Sequence, residues 1–98
     1  MVEFGYKVQN LYDNAAALLL KKHQDYGPKN ISGSPGGPIN GLRVRMHDKM
    51  ARINNLVDNN LDPQNESLKD SFLDLANYAM IALLVLDGDW PDDKGEDK

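Results

Sequence analysis

Cysteine is absent from the 98 residues. That excludes disulfides, thiolate zinc sites, iron–sulfur clusters and cysteine nucleophiles, and it suits a reducing cytoplasm without requiring one. No apolar run reaches the roughly 18–20 residues needed to cross a bilayer. The opening Met1-Val2-Glu3-Phe4 has neither the basic region nor the apolar stretch of a secretory leader. A surplus of basic charge is missing too: 11 Lys and Arg stand against 15 Asp and Glu. Non-specific duplex DNA binding depends on such a surplus and is not expected. The loop Gly33-Ser34-Pro35-Gly36-Gly37-Pro38 is not followed by the Gly-Lys-Ser/Thr of a phosphate loop, and no Gly-x-Ser-x-Gly elbow occurs. What remains is a soluble cytoplasmic protein, short enough for one domain only.

The acidity is local. Six of the fifteen acids lie between Asp87 and Lys98 beside two lysines, which leaves residues 1–86 with nine charges of each sign. The expected organisation is a single helical domain over residues 1–90 and a disordered acidic tail over 91–98.

Periodicity predicts three helices. The first covers about Tyr6 to His23, where Val8, Leu11, Tyr12, Ala15 and Leu19 share one face. Lys21 and Lys22 suit its negative end, and Gly27-Pro28 stops it. From Tyr26 to Asn40 the chain has four glycines and three prolines, an irregular loop by composition. At fifteen residues it exceeds the usual connection, and loops of that length commonly carry function.

The second helix, about Asn40 to Asn59, starts at an Asn40 cap and turns Leu42, Met46, Met50, Ile53 and Val57 inward. Arg45, Lys49 and Arg52 flank that stripe on one side; Arg43, His47 and Asn54 flank it on the other. A polar turn leads to the third helix, about Glu66 to Leu86, with Asn65 as its cap. Phe72, Leu75, Ala76, Ala79, Leu83 and Leu86 face one way there. Met80, Ile81, Ala82, Leu84 and Val85 leave hardly any polar surface on its second half. A helix apolar all round is buried all round, and three short helices cannot enclose it. The expected fold is therefore an all-α, three-helix protomer completed by homo-oligomerisation through helix three.

Glu66, Asp70, Asp74 and Asn77 occupy a strip about 80° wide on that helix. Carboxylates one turn apart can share a hard divalent ion, magnesium being the candidate, with Asp48 as a further ligand. The Asn77 amide offers a donor and an acceptor to a base edge. Arg45, Lys49 and Arg52 suit phosphates. Tyr26, beside the glycine-rich loop, suits stacking. The plainer reading stands beside this one: the acids form a solvated face, the basic residues pair with them, and His23, His47 and Trp90 serve packing or the surface.

Three stretches carry a family resemblance. They are Lys22 through Ile31, Gly41 through Arg52, and Glu66-Ser67-Leu68 continued by Asp70 and by Asp74 through Ala79. In that order they resemble the nucleotide modification associated domain 1 family, small helical proteins common in phages and their hosts. The resemblance implies a nucleotide-type ligand without a settled reaction. It carries over Asp25, Tyr26, Lys29, Asn30, Arg45, Asp48, Lys49, Arg52, Asp70, Asp74 and Asn77 as candidates. A looser likeness is to MazG-type all-helical nucleoside triphosphate pyrophosphatases, which hold magnesium with two acidic pairs; only Glu66 and Asp70 stand for one of them.

The preferred expectation is a small phage-type protein of the host cytoplasm that binds a nucleotide at subunit junctions and sequesters it, countering host defence. Phosphates would meet Lys29, Arg45, Lys49 and Arg52, and the base Tyr26, Asn30 or Asn77. Turnover is left open, with binding favoured over catalysis. The alternatives are a magnesium-dependent nucleotide hydrolase using Glu66, Asp70, Asp74 and Asp48, and a helical protein-interaction module.

Overall fold

A computed structural model describes residues 2–91. The expected acidic tail falls, past Pro91, outside the described residues. The chain is all-α, with no strand among the described residues: α1 (Val2–Tyr26), α2 (Lys29–Ser32), α3 (Pro38–Asp58) and α4 (Leu68–Leu86). Among the described residues no helix is long and apolar enough to cross a membrane.

Three boundaries correct the sequence reading. The glycine- and proline-rich loop contains one turn of helix, α2, started at Pro28, whose missing N–H costs nothing at a helix entrance. α3 begins at Pro38 rather than Asn40, capped by Gly37 at φ 96°, a backbone conformation that favours glycine. Asn40 lies inside the helix, its side-chain amide donating to the Pro35 carbonyl at 3.4 Å. The cap of α4 is Ser67, not Asn65: its extended backbone aims Oγ at the Asp70 N–H, 3.0 Å away. Glu66 therefore sits outside the helix. Ser67→Ala should cost about 1 kcal/mol, the usual loss for a deleted cap. Thermal melting would register that as a drop of about 4–8 °C.

The principal packing is α3 against α4, with α1 leaning on α4 and α2 on α3. The core is small. Ile31, Leu42 and Ile81 are buried together, with Leu19, Ile39, Tyr78, Ala82, Val85 and Trp90 packed around them. Past α4 the chain reverses at Gly88, where φ is 79°, while Asp87, Gly88 and Asp89 N–H groups close on Leu83, Val85 and Leu84 carbonyls. This turn brings Trp90 back onto the core.

Much of the apolar surface stays uncovered. Of the inward stripe expected on α3, Leu42 and Ile53 are buried and Met46 half-buried, but Met50 and Val57 are exposed. On α4 the stripe Phe72, Ala76, Ala79, Leu83 and Leu86 is exposed throughout. α1 buries no residue, and from Val2 to Asn14 every side chain is exposed. The radius of gyration is 15.4 Å. A compact chain of this length would have about 12–13 Å. Leu75, expected on the α4 stripe, is half-buried, whereas Met50, Val57, Val8, Leu11 and Tyr12, expected to face inward, stand exposed in the protomer.

Candidate functional site

All four helices border one cavity of about 230 Å³. Leu19, Ile31 and Ile81 supply apolar walls, and Tyr26, Tyr78, His23 and Trp90 bring four rings to it. Lys22 and Arg45 contribute cations; Asp74, Asn30 and Asn77 contribute oxygen and amide groups. The α1 residues follow from the helical repeat, since positions 19, 22, 23 and 26 share a face.

Trp90 fixes one wall. Its Nε1–H donates to the Pro28 carbonyl at 3.1 Å, and its ring meets the His23 ring edge-on with centroids 5.1 Å apart. His23 Nδ1 is buried and has no hydrogen-bond partner among the described residues. Arg45 fixes another wall. Its Nη2 donates to the Asn30 carbonyl at 2.9 Å and its Nη1 to Ser34 Oγ at 3.4 Å. These contacts tie the α2 segment to α3 through neutral acceptors. Among the described residues no carboxylate pairs with Arg45, so its charge is available to an anion. Asn77 donates from Nδ2 to the Ala15 carbonyl at 3.1 Å, which leaves its oxygen uncommitted.

Beside the cavity runs a ladder of alternating charge. Lys22 donates to Asp74 Oδ1 at 3.1 Å, and Asp74 Oδ2 lies 2.9 Å from Lys49 Nζ. Lys49 also donates to both Glu66 oxygens, at 3.0 and 2.8 Å. Ser71, fully buried, donates to Glu66 Oε2 at 2.6 Å and accepts from Arg52 Nη1 at 2.7 Å. Arg52 Nη2 donates to the Glu66 carbonyl. One ladder thus joins α1, α3, α4 and the turn before α4. Hydrogen bonds from Lys49 and Ser71 hold the Glu66 carboxyl below its ordinary range against the opposing push of burial, with help from the Lys49 and Arg52 charges. Burial pulls Lys49 downward, but hydrogen bonds to Glu66 and Asp74, and their charges, outweigh it and leave the amine raised.

The expected site residues therefore divide. Tyr26, Asn30, Arg45 and Asn77 converge on the cavity, and Asp74, expected as a metal ligand, joins them. Lys49 and Arg52 belong to the ladder with Glu66. Lys29 opens α2 and does not line the cavity; Asp70 and Asp48 are exposed elsewhere. Among the described residues no three imidazole or carboxylate side chains converge as a metal site would need. A divalent ion between Glu66 and Asp74 would have to displace the Lys49 ammonium. The sequence reading did not select Lys22 and Tyr78, and it gave His23 and Trp90 to packing. For Lys22 and His23 the signal was the face they share with Leu19 and Tyr26 on α1; Tyr78 and Trp90 offered no comparable one.

Fold and cavity together define a small all-α protein with a recess lined by aromatic rings, two cations and amides. The family model for nucleotide modification associated domain 1 matches residues 22–86, and the chain belongs to that family. Apart from Leu19 and Trp90, every residue lining the cavity lies inside the matched span. Neither the curated proteins nor the solved structures yield a match. The looser likeness to MazG-type pyrophosphatases gains no support from these comparisons.

Proposed function

We propose that this protein binds a nucleotide in the cavity without consuming it. The observation that carries the reading is the meeting of aromatic rings with Arg45, a cation lacking a carboxylate partner among the described residues. A planar base suits the Tyr26 and Tyr78 rings, with the Asn77 oxygen and the Asn30 amide at its edge. A phosphate suits Arg45, which gives bidentate contacts, with Lys22, held by Asp74, as a second cation in the lining. Lys49 and Arg52 support the walls through the ladder instead of touching ligand. The family description points to the same ligand class. On this reading a phage-type protein, a homo-oligomer through the exposed α4 stripe, withdraws a nucleotide signal in the host cytoplasm. Magnesium-dependent hydrolysis has less behind it, because Lys49 already occupies the space between Glu66 and Asp74.

Trp90 is the only tryptophan and stands in the cavity wall, so its fluorescence reports occupancy directly. Titration with mono-, di-, tri- and cyclic nucleotides should change that fluorescence for one class and raise the melting temperature by mass action, with or without magnesium. The nucleotide should be recovered intact. Arg45→Ala should weaken binding by about 10–100-fold, the value of a charge-assisted contact of about 1.5–3 kcal/mol. No response to any nucleotide would overturn the proposal, and consumption of ligand with magnesium would replace it by the hydrolase.

A further inference from the structure

The N-terminal half of α1 is a helix without a floor. Phe4, Val8 and Leu11, at spacings of four and three, continue the line of Ala15, Leu18 and Leu19. The last three are half-buried where α1 meets the body; the first three and Tyr12 project past it, Phe4 and Tyr12 each 62 % exposed. In proteins most of a helix's stability comes from packing its amphipathic face, and this half of the 25-residue α1 has no such packing in its own protomer. Elsewhere on the molecule an open trough runs between α3 and α4. Its walls are Met46, Met50, Leu75 and Ala76, with Arg43 and His47 at the lip. Along one side stand the exposed Phe72 and Leu83 of α4.

We infer that a second copy of this chain fills the trough: the α1 overhang of each protomer lies between α3 and α4 of the other. The exchange is reciprocal, as a two-fold dimer requires, because each copy carries one overhang and one trough. The small side chains Ala76 and Ala79 leave room for a helix to approach α4 closely. The area is sufficient. At about 150–250 Å² per aromatic, the exposed parts of Phe4, Tyr12 and Phe72 supply roughly 350 Å² per chain. Val8, Leu11, Met50 and Leu83 bring the total to roughly 700 Å², within one partner's share of a standard stable interface of about 600–1,000 Å². This goes beyond a contact through α4 alone, since it names α1 as the element that covers it. It does not depend on the cavity's ligand.

The test uses the natural absence of cysteine. Chains bearing Leu11→Cys and chains bearing Met50→Cys are mixed and oxidised mildly, and each is also oxidised alone. A disulfide-linked dimer should form in the mixture and only weakly in either variant alone. Light scattering on the unmodified chain should give twice the 10.9 kDa chain mass at tens of micromolar. Leu11→Asp should return it to a single-chain mass with its helix content retained over α3 and α4, because Leu11 buries nothing in its own protomer. A single-chain mass for the unmodified protein would overturn the inference. So would a dimer that survives Leu11→Asp and yields no mixed cross-link.

Discussion

Lys49→Met is expected to lower the melting temperature by about 8–16 °C, corresponding to roughly 2 kcal/mol in a chain of this size. An exposed ion pair would not justify that figure, because such pairs contribute about 0–1 kcal/mol. This one differs in two respects. The Lys49 and Asp74 side chains retain only 20 % and 14 % of their exposure, and one nitrogen serves two carboxylates within 3.0 Å. Methionine keeps most of the aliphatic stem but leaves Glu66 and Asp74 facing each other with their common donor gone. Leaving partly buried charged groups without their donor costs more than the pair itself is worth. Arg52 and Lys22 remain on the outer sides of the ladder, so the loss stays below that of a fully isolated buried charge.

The pH dependence separates this account from a simple packing defect. A carboxyl whose folded value is lowered, as at Glu66, stabilises the fold above its unfolded value of about 4.3 and loses that contribution as pH falls through the folded value. An amine whose folded value is raised, as at Lys49, contributes fully below its unfolded value of about 10.4 and loses this as pH rises through the folded one. Wild type and Lys49→Met should therefore differ by a constant amount from about pH 5 to about pH 10, and converge on either side. In acid the convergence has a second source, since protonation of Glu66 relieves its repulsion in the variant. Urea unfolding at about pH 3.5, 7 and 9 measures the gap. An equal gap at the lowest pH would mean that the side chain acts through packing and not through charge.

The ladder also shows how far the sequence could be read. Helical periodicity placed Asp70 and Asp74 on one strip, but a strip about 80° wide straddles the edge of a buried face. Asp74 falls on the inner side, between Lys22 and Lys49, while Asp70 stays in solvent. Asn65 and Ser67 are both good caps by residue type. What distinguishes Ser67 locally is Asp70 three residues on, the spacing of a helix-start cap that Asn65 lacks, and Lys49 and Arg52 add to it by holding Glu66 outside the helix. The α2 turn was hidden, being four residues long and set among residues that read as loop. Tyr26, Asn30, Arg45 and Asn77 were legible because polar and aromatic groups in a long loop or on a helix flank stand out chemically. Trp90 was read as a packing residue and does pack on the core; what the sequence could not supply is its partner, since Pro28 lies 62 residues away. The apolar faces of α1 and α4 read from the sequence as faces to be covered, and in the protomer Val8, Leu11, Tyr12, Phe72, Leu83 and Leu86 stand exposed. Periodicity says which way a side chain points and nothing about which chain it meets.

Trp90→Ala should remove about 3 kcal/mol of stability and, with it, nucleotide binding at temperatures where the variant is still folded. Truncating a buried aromatic residue costs about 3–5 kcal/mol, the larger values arising where the surroundings cannot collapse into the space. Trp90 keeps some exposure, which lowers the figure; it also borders a void of about 230 Å³, so its neighbours have no packing to fall back on, which raises it. The side chain does three things at once. It covers the Ile31–Leu42–Ile81 cluster, sets the His23 ring edge-on, and donates to the same Pro28 carbonyl that accepts the Ile31 and Ser32 N–H groups. Losing it frees the start of α2 and with it the Asn30 carbonyl that steadies Arg45. Trp90→Phe tests the division of these roles. It keeps an aromatic ring against His23 but gives up the hydrogen bond and part of the indole's packing, for a cost of about 1–2 kcal/mol, and it should keep most of the affinity. Melting curves and calorimetric titration of the two variants decide the matter. If alanine unfolds the protein no more easily than phenylalanine does, the turn at Gly88 is held by its own backbone bonds. Trp90 would then be a cavity wall and not a structural anchor.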